Sequence, residues 1–244
     1  MDKNQLILST EYDIDNVGMI YFPMVEDLKD KAIGEDKINR YIVPYKLTKH
    51  HFQIDKDKKK NEEILRDITL FDILTFKDLP FDDNTTYIEL ITDSLKYYFK
   101  VDVQYNMEIN SFIIDNKGII NRDNFDQIAD IILAINNNKK LEIEDVPEFK
   151  NEKQRDVYYK IMAGRKRQAE KNKVTLSTII NIVIHGGNSF IPYYELLKMT
   201  IYQLINSYKA IIDIDICNRN YQQYLAGADA NKIDLSHWSE KIKI

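Results

Sequence analysis

Hydrophobic positions recur along this chain in two periods, and the switches between them mark its elements. The first residues read as extended: Leu6, Leu8 and the run Val17 to Phe22 flank the acidic turn "DIDN", which predicts a hairpin ending at Pro23. From Met24 the spacing becomes helical, with Val25, Leu28, Ala32, Ile38, Tyr41 and Ile42 interrupted at Gly34 and stopped at Pro44. The charge run "DKDKKKNEE" at 55–63 opens an amphipathic helix over 61–77 on Ile64, Leu65, Ile68, Phe71, Ile73 and Leu74. The next helix takes Asn84 or Thr85 as its N-cap and carries Ile88, Ile91, Leu95 and Tyr98 on one stripe.

A period of two returns in "VDVQYNMEINSFII", where Val101, Val103 and Tyr105 face away from Asp102, Gln104 and Asn106. With the turn formers Asp115, Asn116, Lys117 and Gly118, this predicts a small antiparallel meander over 101–120. A helix then runs from about Arg122 to Ile135 on Phe125, Ile128, Ile131, Ile132 and Ile135. The polar stretch "NNNKKLEIEDVPEFKNEK" is the best candidate for a boundary.

Everything beyond the boundary is helical in pattern. Residues 151–171 are highly charged, with a thin stripe of Val157, Tyr158, Ile161 and Met162. Thr175 is a natural N-cap for a helix over 176–185, and Ile191 or Pro192 opens a short helix through Met199. A long helix from Thr200 to about Leu225 sets Ile201, Leu204, Ile205, Tyr208, Ile211, Ile212 and Ile216 on one face. The expected fold is therefore α+β and predominantly helical: an N-terminal extended hairpin, a small antiparallel meander and an all-helical C-terminal part. The division falls into residues 1–145 and 148–244, as two domains or as one continuous domain.

Composition narrows the functional classes. At 244 residues, 44% hydrophobic and 30% charged, the chain has the makings of a globular core. A net charge of -5 and a pI near 5.5 argue against a general attraction to nucleic acid or anionic lipid. Cys217 is the only cysteine, so no intrachain disulfide forms, and a reducing compartment fits best. The N-terminal apolar stretch is too soon interrupted by acids for a signal peptide, and no run approaches the roughly 18 apolar residues of a membrane span, so the expected setting is a cytoplasm with no membrane partner.

The candidate chemistry is thin. "HGGNSFIPYYE" has the glycines of a phosphate loop but neither its Lys nor a preceding buried strand. The stronger reading of Gly186 and Gly187 is a helix stop, with His185 in the last turn, one glycine at positive φ, and Asn188 or Ser189 capping the next helix. Asp213 and Asp215 would clamp a cation on a strand, but on a helix they diverge by about 200°. His50 and His51 are adjacent and lack further ligands at the spacing zinc requires. No catalytic residue, cofactor site or metal site is therefore assigned. The basic segment 164–173, with Arg165, Lys166 and Arg167, supports an alternative reading as a DNA-binding regulator. A small metal-dependent hydrolase assembled from dispersed Asp and His is a weaker alternative. Trp238, an aromatic in a polar tail, is expected to dock onto its own fold or onto a partner.

The landmarks "FPMVEDL", "IGEDKINRY", "LLKMTIYQLINSYKAI" and the terminal "HW" occur in an order that resembles tail assembly chaperone-like and tail accessory proteins of phages and prophages of low-GC Gram-positive bacteria. The resemblance implies a non-enzymatic morphogenesis protein in the bacterial host cytoplasm or associated with the virion. Its partners would be the tape measure protein or other tail proteins, with homo-oligomers left open and nucleic acid not expected. On that reading Pro23, Met199, Tyr202 and Trp238 are the candidates for partner contact.

Overall fold

The computed structural model describes every residue except 30–33, 56, 78, 143–146, 148, 172–173, 188–189 and 242–244. The fold is α+β and dominated by helices, with small antiparallel sheets of two or three strands. The N-terminal hairpin pairs β1 (Glu11–Ile14) with β2 (Gly18–Tyr21), Tyr12 opposite Ile20. Residues ahead of it depart from the extended reading. They form a short helix, α1 (Lys3–Leu8), because Asp2 accepts from the Gln5 amide while the Gln5 side chain accepts from the Asp2 amide. Leu6 is buried and Leu8 points outward, as one helical turn rather than one strand face requires.

Two further helix boundaries differ from the periodicity. Pro44 does not stop α2 (Gly34–Lys46) but lies buried inside it, two residues from its end, where one lost backbone bond costs little of the helix. The single helix expected over 61–77 is two, α3 (Lys58–Asp67) and α4 (Leu70–Leu74). Asp57 caps the first at the amides of Lys59 and Lys60. At Thr69 a capping box with Asp72 starts the second, so a local side-chain cap overrides an apolar spacing that continues unbroken.

A two-stranded ribbon of β3 (Pro80–Asp82) and β4 (Thr85–Thr86) leads into α5 (Tyr87–Phe99), capped by Thr86 rather than by Asn84 or Thr85. The expected meander is present as β5 (Val103–Asn106), β6 (Ser111–Ile114) and β7 (Gly118–Ile120). Its second turn has Asp115 and Asn116 at φ 48° and 57°, left-handed values that short Asx side chains tolerate. Gly118 then passes so close to the first hairpin that a Cβ there would lie 1.9 Å from the Val17 carbonyl oxygen. Helix α6 (Phe125–Ile135) completes the N-terminal part. One large core joins these elements around Tyr45, Phe71, Leu95, Tyr98, Phe112, Phe125 and Ile132.

The C-terminal part consists of α7 (Glu152–Lys171), α8 (Leu176–His185), α9 (Tyr193–Leu196), α10 (Ile201–Leu225) and α11 (Trp238–Lys241). Thr175 is the N-cap the sequence predicts, and Thr200, expected as the first residue of the long helix, is its N-cap; they accept from the Thr178 and Gln203 amides at 3.2 and 3.1 Å. His185 ends α8 as expected, but Gly186 is right-handed, at φ -88° and ψ -13°, and not at positive φ. Its lack of a side chain matters for a different reason: a Cβ would crowd the Ile182 carbonyl oxygen at 2.7 Å. Asn188 and Ser189, offered as caps of the next helix, lie outside the described residues, as does part of the boundary stretch. A second, smaller cluster of Val25, Val183, Ile184, Leu196, Ile201 and Leu204 forms where α8 and the start of α10 meet the N-terminal part.

Candidate functional site

The two short motifs "FPMVEDL" and "MTIYQL", far apart in sequence, meet in space. Met24 and Thr200 form an isolated antiparallel bridge. Around it the Ile201 amide donates to the Pro23 carbonyl at 2.8 Å, Val25 to Met199 at 2.9 Å and Glu26 to Leu197 at 3.1 Å. Thr200, fully buried, reciprocates with Gln203, whose side-chain amide also donates to the Ile7 carbonyl at 2.6 Å. Pro23 is buried and Met199 half-buried in this seam, and Tyr202 packs half-buried against the N-terminal core. Three of the four proposed contact residues are thus occupied, at least in part, by the protein's own interior.

Next to the seam the Asp27 carboxylate accepts from the Met24 amide and from the Tyr97 hydroxyl, at 2.8 and 3.2 Å. Burial, reinforced by the Asp27 charge, pushes the Tyr97 phenol well above its ordinary pKa. Burial does the same to Tyr45, bonded to Ser94, and to Tyr98, bonded to Asn136. These phenols are neutral structural hydrogen-bonding groups, Tyr45 and Tyr98 fully buried in the core and Tyr97 half-buried against it.

Open surface lies elsewhere. Along α7 the described side chains are exposed apart from half-buried Tyr158 and Met162; Val157 and Ile161 are 49% and 50% accessible. With Gln154 and Tyr158 they line a shallow groove of about 420 Å³. Phe190, Tyr193 and Tyr194 project around the α8–α9 junction at 69%, 55% and 62% exposure, Phe190 resting 6.2 Å from the His185 ring. Behind them a cleft of about 420 Å³ runs between the end of α8 and the middle of α10, floored by Val183, Ile191, Ala210 and Ile211 and bordered by Gly186 and Gly187. The far end of α10 exposes Ile216, Tyr221, Tyr224 and Leu225. Sequence reasoning treated the glycine pair only as a stop and missed the aromatic rim beside it; the signal was the run "FIPYY" directly after the glycines.

The remaining candidates fall into place individually. Trp238 is half-buried on a tail that returns to α10: Asn220 and Tyr221 donate to the carbonyls of Asp234 and Leu235 at 2.8 and 3.1 Å, and Cys217 lies buried under Ser236. Asp213 and Asp215 are on a helix, and Asp215 is spent on Arg219, whose guanidinium pKa is raised by that hydrogen bond. The ring of His51 accepts from the Thr48 amide at 3.0 Å. Among the described residues no three His, Cys, Asp or Glu side chains group as metal ligands. Arg165, Lys166 and Arg167 stand exposed on the second half of α7. Among the described residues no helix is long and apolar enough to cross a membrane.

Fold and surface together define a helix-dominated α+β protein with one large N-terminal core and C-terminal helices that show apolar side chains to solvent. Residues 166–243, less than half of the chain, match the family model of the YomV second domain. The match covers the end of α7 and all of α8 to α11; it is in keeping with a phage- or prophage-associated family and does not reach a tail assembly role. No curated protein and no solved structure matches the chain.

Proposed function

We propose that the chain is a non-enzymatic phage morphogenesis protein, a tail assembly chaperone-like protein or structural adaptor. It works through protein contacts with the tape measure protein or a tail tube protein. The observation that carries this reading is the exposure of apolar side chains along α7, the α8–α9 rim and the end of α10, the last two inside the region that matches the YomV second domain. Exposed aromatic and aliphatic groups of this kind mark binding faces, because leaving them in water forgoes the free energy that burial supplies. The resemblance of "FPMVEDL" and "MTIYQL" to tail accessory proteins supplies the biological setting.

Co-expression tests the proposal. The chain should keep the tape measure protein encoded by the same phage or prophage soluble and should co-purify with it. A tape measure protein that aggregates equally with and without the chain would sink the reading.

A further inference from the structure

Helix α7 combines two properties found together nowhere else on the described surface: an uncovered apolar stripe and a strong local charge. Its twenty residues carry seven basic and three acidic side chains, a net charge of +4, in a chain whose total is -5. The rest of the molecule therefore bears -9, so a cationic helix stands on an anionic body. Gln154, Val157, Tyr158, Ile161 and Arg165 follow one another at three- and four-residue spacing and so share a face, which the groove between Asn151 and Ile161 indents. Phe149 closes the N-terminal end of that face, its ring 5.3 Å from Tyr158. A polar, solvent-bridging helix would be stabilised by pairs along its length, yet α7 spends Arg155 on Glu152 and Asp156 and leaves Val157 and Ile161 half in water.

We propose that α7 is a docking helix for an acidic amphipathic helix of a partner protein, which lays its apolar side against Val157, Tyr158 and Ile161 and its carboxylates against Arg165, on the same face, and Lys153, which borders the groove. The proposal rests on the reading of the chain as a protein-binding adaptor and specifies the chemistry of what it binds. Charge complementarity selects the occupant. A second copy pairing α7 against α7 would bring the same positive sign, and like charges across a helix pair oppose association. Nucleic acid would engage the basic side chains but gain nothing from Val157 and Ile161, whereas helix-in-groove packing uses both charge and apolar surface.

The test uses the full chain and a synthetic amphipathic helical peptide with a leucine stripe flanked by glutamates. Controls are the same peptide with every glutamate replaced by glutamine, and duplex DNA. The acidic peptide should bind, and its affinity should fall roughly tenfold in a Val157→Asp/Ile161→Asp variant, in a Lys153→Glu/Arg165→Glu variant, and on raising the salt concentration. All four positions are exposed, so circular dichroism should confirm unchanged folding. Absence of peptide binding, or binding that both variants retain, would overturn the proposal. So would DNA binding tighter than peptide binding that only the charge-reversed variant loses. Because no tape measure protein enters this experiment, its failure is separate from failure of the co-expression test.

Discussion

Helices α6 and α10 look alike as sequence and differ as structure. Both repeat isoleucine at helical spacing, but α6 buries seven of its eleven residues while α10 buries three of twenty-five. The difference is in what surrounds them. Helix α6 packs along α2 and lies in a core that includes seven aromatic side chains almost wholly shielded from water, among them Phe71 and Phe125 with ring centroids 5.3 Å apart. Helix α10 has α8 and the seam with Pro23–Glu26 along its first turns and a polar tail along its last. Fully burying one such side chain is worth about 1.5–3 kcal/mol, so the N-terminal core holds the fold while the C-terminal helices keep apolar surface in reserve. An apolar stripe tells which face a helix will bury; it does not tell whether the folded monomer covers it.

Substitutions can break this contrast, and they rank by how much packing each removes. Phe125→Ala, in contact with Phe71 and Tyr45, should cost about 3–5 kcal/mol in chemical denaturation and unfold the protein as a whole. Leu204→Ala empties the smaller cluster and should cost about 2–4 kcal/mol. Hydrogen exchange should then accelerate first in α8 and α10 while α5 and α6 stay protected; uniform acceleration would show that the two parts unfold as one. Gly118→Ala forces a Cβ onto the Val17 backbone and should cost about 1–3 kcal/mol in thermal melts. Val157→Ala on exposed α7 should change stability by no more than about 0.5 kcal/mol.

The buried tyrosines add a pH dependence with a definite sign. Tyr45, Tyr97 and Tyr98 all have folded pKa values above the usual value near 10. Above that value the unfolded chain loses protons that the folded chain retains, so stability is complete below pH ~10 and falls as pH rises beyond it. In an alkaline titration followed by tyrosinate absorbance, these three should ionise only together with loss of near-ultraviolet circular dichroism. Ionisation of all sixteen tyrosines before any unfolding would contradict their burial.

Local signals in the sequence translated well into structure where the interaction itself is local. Thr175 and Thr200 cap the helices they precede, and the alternation from Val103 to Ile120 folds as the expected meander. The misses have physical causes. Apolar spacing runs unbroken through Ile68 and Thr69, so the capping box that splits the helix there was masked. At α1 two leucines two apart imitate a strand, and only the Asp2–Gln5 pair distinguishes a helix turn. The bridge between Met24 and Thr200 leaves no periodic trace, since pairing between distant segments is set by the tertiary fold. Of the candidate site, the α7 stripe was legible but its exposure was not, and the occupation of Pro23 and Met199 by the seam became visible only in three dimensions.

The central claim is that the C-terminal helices, and not the N-terminal core, form the face that meets other proteins. Hydrogen exchange of the complex with the co-expressed tape measure protein measures this directly. The account predicts new protection on binding at α7, at residues 190–194 and along the second half of α10, with no change in α5, α6 or the meander. Protection confined to residues 1–135, with the C-terminal helices exchanging as in the free protein, would contradict it.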